Sequence, residues 1–300
     1  MTDISAFAHD VHQYDYASEA PSISQNWKQR YLLFLEGVTA VFDGFKALDI
    51  ASLGIGHNEL RVVVGPNGAG KTTMCDVISG MTQPTTGQIY FDGEDITHWS
   101  DTHIAQNGVG RKFQIPNVFD SLTVWENMLL ALPNPTRHIG SDAWMAARFS
   151  PAKGVGAVAA HRLWSTIRFM GGRATSESTD KIISILKRVR LYDNLHTQAK
   201  NLSHGQRQWL AISKLIISEP KLLLVDEPAA GLTDKETALT ADLLLELKGS
   251  HTIIVIEHDM EFVRSLGSRV TVLDNGKVLA DGTLDQVQAD PAVIEAYLGR

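Results

Sequence analysis

The stretch Gly65 to Thr72 reads G-P-N-G-A-G-K-T and directly follows the apolar run Arg61 to Val64. It has the form G-x-x-x-x-G-K-[ST], in which closely spaced glycines let successive backbone N–H groups converge on one anion. A helix is predicted to begin near Lys71, and the positive end of its dipole strengthens the attraction for phosphate. This order of strand, loop and helix predicts a nucleotide site on an α/β core.

Two residues at the end of the stretch have individual predicted roles. Lys71 is expected to reach the β- and γ-phosphates, and the hydroxyl of Thr72 is placed to bind Mg²⁺. A nucleotide and a magnesium ion are therefore expected together. The residues predicted to bind the nucleotide through this loop are Gly65, Pro66, Asn67, Gly68, Ala69, Gly70, Lys71, Thr72 and Thr73.

Length and charge limit the class of protein. The 300 residues are enough for about two domains and a large parallel-sheet core. The 27 Lys and Arg residues are outnumbered by 34 Asp and Glu residues, and the net charge of −7 gives no support to a nucleic-acid partner. The single cysteine, Cys75, excludes a disulfide framework and favours a reducing compartment. We interpret Cys75 as a small core residue, with a redox role near the nucleotide as the alternative.

Residues 1–29 are polar without a sustained period, so a mobile N-terminal tail is predicted, with a contact patch of His and Tyr side chains as the alternative. They contain no basic stretch followed by an apolar core, and nowhere do about 20 apolar residues run together. The chain is therefore expected to be cytoplasmic and not to cross a membrane by itself.

Aromatic rings are predicted close to the phosphate loop. Tyr31 to Phe42 has a strand pattern, and Phe42 to Phe45 has the sequence of a turn. The ring of Phe42 would either stack on an adenine or belong to the core, and the residues do not decide between these alternatives.

A helical subdomain is predicted to be inserted in the α/β core, at about residues 115–215, because strand signals almost vanish there. Within it, Pro135 to Thr175 interleaves six Lys or Arg residues with aromatic side chains and has one acid, Asp142. Such a segment is typical of basic amphipathic helices that touch a membrane partner. The alternative is a helical excursion that packs on its own domain.

The last third returns to α/β patterns. Lys221 to Asp226 and Thr252 to Glu257 are the short apolar runs expected of parallel strands that are covered on both faces. A hairpin is predicted from Arg269 to Leu279 around Asn275-Gly276, and a closing helix from Pro291 to near Gly299.

Two further sequence features suggest how the nucleotide is bound and hydrolysed. Asp226 can hold the metal through water, and the adjacent Glu227 can accept a proton from an attacking water. The sequence Leu202-Ser203-His204-Gly205-Gln206 opens a helix and offers a second anion-binding N-terminus, although a simple helix cap would also explain Ser203.

At this point the chain resembles the ATPase subunits of ATP-binding-cassette (ABC) transporters, over about residues 32–299. The resemblance implies that two such subunits sandwich two ATP molecules, each between one subunit's phosphate loop and the other's signature sequence. Ser203, Gly205 and Gln206 would then belong to the nucleotide site of a partner ATPase, and Gln114 would sense Mg²⁺ and relay to membrane subunits. His258 would hold the γ-phosphate and the attacking water. The matching residues are Gly65 to Thr72, Gln114, Leu202 to Gln206, Leu222 to Glu227, Ala230 to Asp234 and His258.

Two departures from the common family pattern point to a branch of it. His204 replaces the second glycine of the signature, and Ala230 to Asp234 reads A-G-L-T-D instead of a form ending in S-A-L-D. Both resemble the importers of branched-chain amino acids and urea. Gly110 to Phe119 and Glu257 to Val263 are similar to the urea type, so urea or short amides are the expected solute, with branched-chain amino acids as the alternative.

The resemblance implies an α/β fold with a P-loop NTPase (RecA-like) core, an antiparallel β subdomain and an inserted helical subdomain, so that residues 30–300 form one ABC ATPase domain. The implied ligands are ATP and Mg²⁺, with metal contacts from Thr72, Gln114 and Asp226. The implied catalytic residues are Glu227, His258 and Gln114. The implied partners are integral-membrane permease subunits, a second ATPase subunit and, indirectly, a solute-binding protein, with the chain at the cytoplasmic face of the membrane.

Two other classes share parts of this pattern. A GTPase switch has the phosphate loop, but no N-K-x-D element occurs in the chain and the signature would have no role. A soluble cassette ATPase of DNA repair or ribosome function would need a coiled coil, a DNA-binding module or a second cassette. The single cassette and the acidic balance favour the transporter.

Overall fold

The computed structural model describes residues 30–112, 116–132 and 176–298. These residues divide into two compact units. The first contains the described residues up to Arg111, with Lys221–Ala230 and the residues from Thr237 onward; the second contains those of Lys112–Pro220 and Gly231–Glu236. The predicted tail (1–29), the basic aromatic segment and Gln114 lie outside the described residues. The predicted domain boundaries therefore stay predictions.

The first unit holds a sheet built around parallel strands. Its order is β10-β9-β3-β8-β7-β6, and β3 is parallel to both of its neighbours, as β7 is to β8. Every residue of β3, β7 and β8 is buried, which explains why these strands are continuous apolar runs. Its strands are β3 (Leu60–Val64), β6 (Val109–Lys112), β7 (Leu222–Asp226), β8 (Thr252–Ile256), β9 (Arg269–Asp274) and β10 (Lys277–Gly282).

A second, antiparallel sheet has the order β2-β1-β4-β5. The alternation of buried and exposed residues is incomplete along its two long strands, and the pairing of β1 with β2 contains register shifts. This sheet provides the antiparallel part of the expected fold. Its strands are β1 (Tyr31–Phe42), β2 (Phe45–Gly56), β4 (Thr86–Phe91) and β5 (Glu94–Asp95).

One apolar core joins the two sheets. Helix α1 (Lys71–Ile78) contributes Met74, Cys75, Val77 and Ile78 to it. Buried side chains of β1, β2 and β4 pack in the same cluster with residues of β7 and β8. The other helices of this unit are α2 (Asp101–Gln106), α6 (Asp234–Leu247, whose first turn belongs to the second unit), α7 (Met260–Leu266), α8 (Leu284–Ala289) and α9 (Pro291–Leu298).

The second unit is helical in its described part, with α3 (Val124–Ala131), α4 (Ser176–Arg188) and α5 (His204–Ile216). Helix α4 buries Ile182, Ile185 and Leu186, a spacing that places them on one helical face. Thr123 caps α3 through a reciprocal bond with Glu126, so this helix begins where the sequence has T-x-x-E.

A buried ion pair joins β3 to the β9–β10 hairpin. Arg61 is only 2% exposed, and its guanidinium lies 2.7 Å from Asp281 Oδ2 and 2.6 Å from Glu59 Oε1. It also donates to Thr271 Oγ1 at 2.8 Å, and Asp281 accepts a further bond from Arg269. With Asp281 itself only 3% exposed, removing this carboxylate would leave Arg61 as a buried charge with fewer acceptors.

We therefore expect Asp281→Asn to lower the free energy of unfolding by about 3 to 5 kcal/mol, the usual cost of breaking a buried pair on one side. Denaturant unfolding of the full chain measures this. The matched control is Asp285→Asn, which breaks the exposed pair with Arg264 and should cost less than about 1 kcal/mol. Equal effects of the two substitutions would contradict a stabilising role of the buried pair.

Candidate nucleotide site

The loop between β3 and α1 needs glycine at two positions, because neighbouring backbone leaves no room there for a side chain. Gly70 has a φ of +99° and is the N-cap of α1. A Cβ there would lie 2.6 Å from the carbonyl oxygen of Ala47, and a Cβ at Gly65 would lie 2.2 Å from that of Leu273. The loop is thus enclosed by backbone on two sides, as the sequence pattern predicts for a phosphate-binding loop.

The β9–β10 turn fixes this loop from outside. The N–H of Gly276 donates to Ala69 O at 3.0 Å, and the carbonyl of Gly276 accepts from Asp49 N at 2.7 Å. The turn predicted at Asn275-Gly276 therefore joins the phosphate loop to β2.

Lys71 is folded back over its own loop. Its ammonium donates to the carbonyl oxygens of Gly65 at 2.6 Å and Pro66 at 3.0 Å. Burial lowers the pKa of Lys71, while the carboxylates of Glu227 and Asp226 act in the opposite direction. The three charges thus belong to one electrostatic group, in which a phosphate would be a stronger partner for the ammonium than the two carbonyls are.

The two carboxylates follow the buried strand β7. Asp226 is the last strand residue and is buried, and Glu227 follows it with a φ of +44°, in the left-handed region that residues other than glycine rarely adopt. The N–H of Glu227 donates to Ile256 O at 3.0 Å, which fixes this conformation against the neighbouring strand. Such a backbone is typical of functional sites.

The structure brings His258 next to Glu227, although 30 residues separate them in sequence. The imidazole Nδ1 lies 3.6 Å from Glu227 Oε1, longer than a hydrogen bond, and the His258 side chain is 63% exposed. A water or a phosphate oxygen can therefore approach both groups. The phosphate loop follows β3, Asp226 ends β7, and His258 lies two residues after β8. These groups therefore lie at the carboxyl ends of adjacent parallel strands, where ligands bind in open α/β sheets.

Glu257, between β8 and His258, had no predicted individual role. Its carboxylate is 1% exposed and accepts bonds from the N–H groups of Ala229 at 2.9 Å and His258 at 3.1 Å. Burial raises the pKa of Glu257, while the N–H groups of Ala229, His258 and Asp259 act in the opposite direction. The signal in the sequence was a charged residue directly after five apolar or β-branched ones.

In the second unit, Ser203 caps helix α5. Its hydroxyl oxygen accepts from Gln206 N at 3.2 Å, and the Gln206 side chain accepts from Ser203 N at 3.0 Å. The capping interpretation of Ser203 is therefore confirmed, and it leaves the predicted contact with a phosphate untested.

Glu236 has an unexpected contact with the same serine. The Ser203 hydroxyl donates to Glu236 Oε1 at 3.0 Å, and a Cβ on Gly205 would lie 2.5 Å from that oxygen. Hydrogen bonds from Thr233, led by its backbone N–H, and from Ser203 lower the pKa of Glu236. A carboxylate thus lies at the signature helix N-terminus, the place predicted for an anion. The T-x-x-E spacing of Thr233 and Glu236 predicts a helix cap but not this contact.

Other predicted residues have mixed outcomes. Phe42 is 46% exposed, so it is not a core ring, and its stacking on adenine stays a prediction. Cys75 is a core residue, as interpreted, and burial raises its pKa to about 12, so the thiol stays protonated near neutral pH. Thr72 and Thr73 lie in the first turn of α1, and Gln114 lies outside the described residues.

Comparison with known proteins identifies the family. The family model described as ABC transporter matches residues 48–230. The chain is 35% identical to the high-affinity branched-chain amino acid transport ATP-binding protein BraF of Pseudomonas aeruginosa, over 90% of this chain and 98% of BraF. The chain belongs to the ABC transporter ATP-binding family. A further model, of branched-chain amino acid ATP-binding cassette transporters, matches residues 277–300 of this cassette.

Other relatives agree with this family. LivG of Escherichia coli K12, a protein of the same description as BraF, is 35% identical over 89% of this cassette and 98% of its own length. The crystal structure of MJ1267 in its ADP conformation, an ATP-binding cassette of an ABC transporter, superposes with a TM-score of 0.70 at 28% identity, covering 90% of this chain and 99% of that one. The predictions of the fold, of ATP binding and of an ATP-hydrolysing ABC importer subunit are confirmed.

Cassettes of this family work as dimers with membrane permease subunits. Among the residues that the structure describes, no helix has the length and apolar character needed to span a membrane. The comparisons do not support urea transport specifically.

The site predicts that Lys71→Ala abolishes ATP binding, because the substitution deletes the cation of the phosphate loop and leaves a good helix-forming residue. Equilibrium binding of a fluorescent ATP analogue to the full chain measures this. The control is Lys221→Ala, which removes an exposed lysine just before β7, at the opposite end of the sheet, and should leave affinity unchanged. Unchanged affinity in Lys71→Ala would contradict the assignment of the loop.

Proposed function

We propose that this cassette energises the import of branched-chain amino acids. BraF and LivG support this proposal, because both are named as branched-chain amino acid transport ATP-binding proteins. Both match nearly the whole cassette at 35% identity. The match of residues 277–300 to the branched-chain amino acid cassette model points the same way. Urea was the expected solute from Gly110 to Phe119 and Glu257 to Val263, and the comparisons favour the alternative over it.

The proposed direct partners are permease subunits and a second ATPase, and the solute-binding protein is an indirect partner. Integral-membrane permease subunits would receive the conformational change, and a second ATPase, identical or homologous, would complete the nucleotide sites. The cassette would act at the cytoplasmic face of the membrane as a peripheral subunit. Within it, residues 1–29 would be a tail and about 115–215 the helical subdomain that touches the permeases.

The proposed chemistry is hydrolysis of ATP with Glu227 as the general base. Glu227 is partly exposed beside His258, so it can take the proton of a water that contacts both side chains from the solvent side. His258 would orient that water and the γ-phosphate, and Lys71 would neutralise charge on the phosphates. The single observation that carries this proposal is that Glu227 and His258 lie with the phosphate loop at the carboxyl ends of the parallel strands.

The residues present also fit a magnesium ion. Thr72 offers a hydroxyl in the first turn of α1, and Asp226 offers a carboxylate at the end of β7, both of them oxygen donors of the kind that Mg²⁺ prefers. When bound, Mg²⁺ would neutralise charge on the phosphates. Gln114 is proposed as a further ligand. Ser203, Gly205 and Gln206 would complete the site of the partner ATPase, and Phe42 would stack on the adenine.

Glu227→Gln tests the proposed base. It keeps the size of the side chain but removes the basic carboxylate, so turnover should fall by roughly 10² to 10⁴ while ATP still binds. The variant should accumulate as an ATP-holding dimer with a competent partner on size exclusion in MgATP. Asp226→Asn is the matched comparison, because weakening the metal should remove both hydrolysis and Mg²⁺-dependent dimerisation. Near-normal hydrolysis in Glu227→Gln, or identical behaviour of the two variants, would show that the roles are wrong.

Uptake in cells tests the proposed solute. Cells whose only copy of the cassette carries Lys71→Ala should lose high-affinity uptake of radiolabelled leucine and keep uptake of radiolabelled urea. Wild-type and Lys221→Ala cells serve as controls for expression. Loss of urea uptake with normal leucine uptake would overturn the solute assignment and leave the ATPase assignment intact.

A further inference from the structure

Glu257 is a buried carboxylate between the two loops that carry the proposed catalytic groups. One oxygen, Oε1, accepts the N–H of Ala229, which lies two residues after Glu227. The other oxygen, Oε2, accepts the N–H of His258. The side chain therefore bridges the loop after β7 and the loop after β8 with one oxygen each.

Backbone hydrogen bonds also hold these loops where they leave their strands. The backbone bond from Glu227 N to Ile256 O fixes the start of the first loop, and Glu257 N donates to Val63 O at 3.1 Å, which fixes its own backbone to β3. In addition to these strand-end bonds, the bridge through the Glu257 carboxylate sets Ala229 relative to His258.

The charge of Glu257 has no evident role in stability. Burial disfavours its ionised form, and an apolar side chain of similar volume would avoid that cost. Its imidazole neighbour, His258, is 3.9 Å from Oε2, which is too long for a hydrogen bond. A carboxylate at this position provides two equivalent oxygen atoms, and each accepts a hydrogen bond from a different loop.

We propose that Glu257 is a positioning residue, which sets the separation of Glu227 and His258 by holding both loops through its two carboxylate oxygens. The inference rests on the proposed roles of Glu227 and His258 in hydrolysis. Glu257 itself does not touch the reacting atoms in this account.

The geometry predicts what each substitution would do. In Glu257→Gln, one oxygen still accepts from one loop, but the new NH₂ group faces the N–H of the other loop and cannot accept from it. That loop is released. In Glu257→Asp, the charge stays but the shorter side chain cannot reach both loops. Both variants keep the phosphate loop and its lysine unchanged.

Steady-state ATP hydrolysis by the full chain with its partner ATPase separates positioning from binding. We expect Glu257→Gln to lower kcat about 10- to 100-fold, the usual effect of removing a group that orients a catalytic side chain, with little change in KM for ATP. Glu257→Asp should show the same split, and serves as the second variant if the first does not fold. Asp285→Asn is the control, because it removes an exposed carboxylate that pairs with Arg264, and it should leave kcat unchanged.

A double-variant cycle with His258→Ala provides a readout that a merely structural role would not change. If Glu257 acts by holding His258 against Glu227, adding Glu257→Gln to His258→Ala should lower single-turnover hydrolysis less than twofold further. If the two losses multiply in full, the proposal is overturned. A normal kcat in Glu257→Gln, or an equal loss in Asp285→Asn, would also overturn it.

The companion variant Glu227→Gln distinguishes two kinds of failure. If Glu227→Gln hydrolyses ATP normally, the proposed catalytic roles are wrong and the positioning role is wrong with them. If Glu227→Gln is inactive while Glu257→Gln is normal, only the positioning role is overturned.

Discussion

The close approach of three backbone segments at the end of β3 is the constraint on which the site depends. Gly65 faces the carbonyl of Leu273, Gly70 faces that of Ala47, and the Gly276 N–H binds Ala69. No side chain fits in these gaps, so the phosphate loop is held by main chain on several sides. The hairpin β9–β10 and the antiparallel sheet thus serve to hold a loop whose own residues make few side-chain contacts.

Buried charges have two different uses in the first unit. Arg61 and Asp281 join β3 to the hairpin in the sheet, where each charge has several partners. Glu257 lies at the carboxyl end of β8, where its acceptors bind loop backbone instead of a cation. A buried pair of the first kind stabilises the arrangement of strands, and a carboxylate of the second kind sets the relative position of loops.

The sequence predicted the parts of this structure that depend on local pattern. The phosphate loop, the buried strands β7 and β8 and the hairpin turn at Asn275-Gly276 have residue types that few other conformations accept. The strand β2 was missed because the sequence of Phe45–Gly56 mixes charges and glycines with apolar residues, and its place is fixed by pairing with β1.

The contacts of Ser203 with Glu236 and of Ala229 with Glu257 could not be predicted in the same way. Each joins residues about 30 positions apart, and a single sequence carries no signal for such a pair. The transported solute could not be predicted from the sequence for another reason. The cassette residues that suggested urea would not touch the transported molecule, so only similarity over the whole chain bears on it.

We propose that ATP is held between the phosphate loop of one subunit and the signature of its partner. A crystal structure of the Glu227→Gln chain with MgATP and its partner ATPase tests this most directly. We predict a γ-phosphate bound by Lys71 of one subunit and by the signature serine of the other, with the Ser203 hydroxyl turned from Glu236 to the phosphate. ATP bound by one chain alone, with Ser203 still on Glu236, would contradict the account.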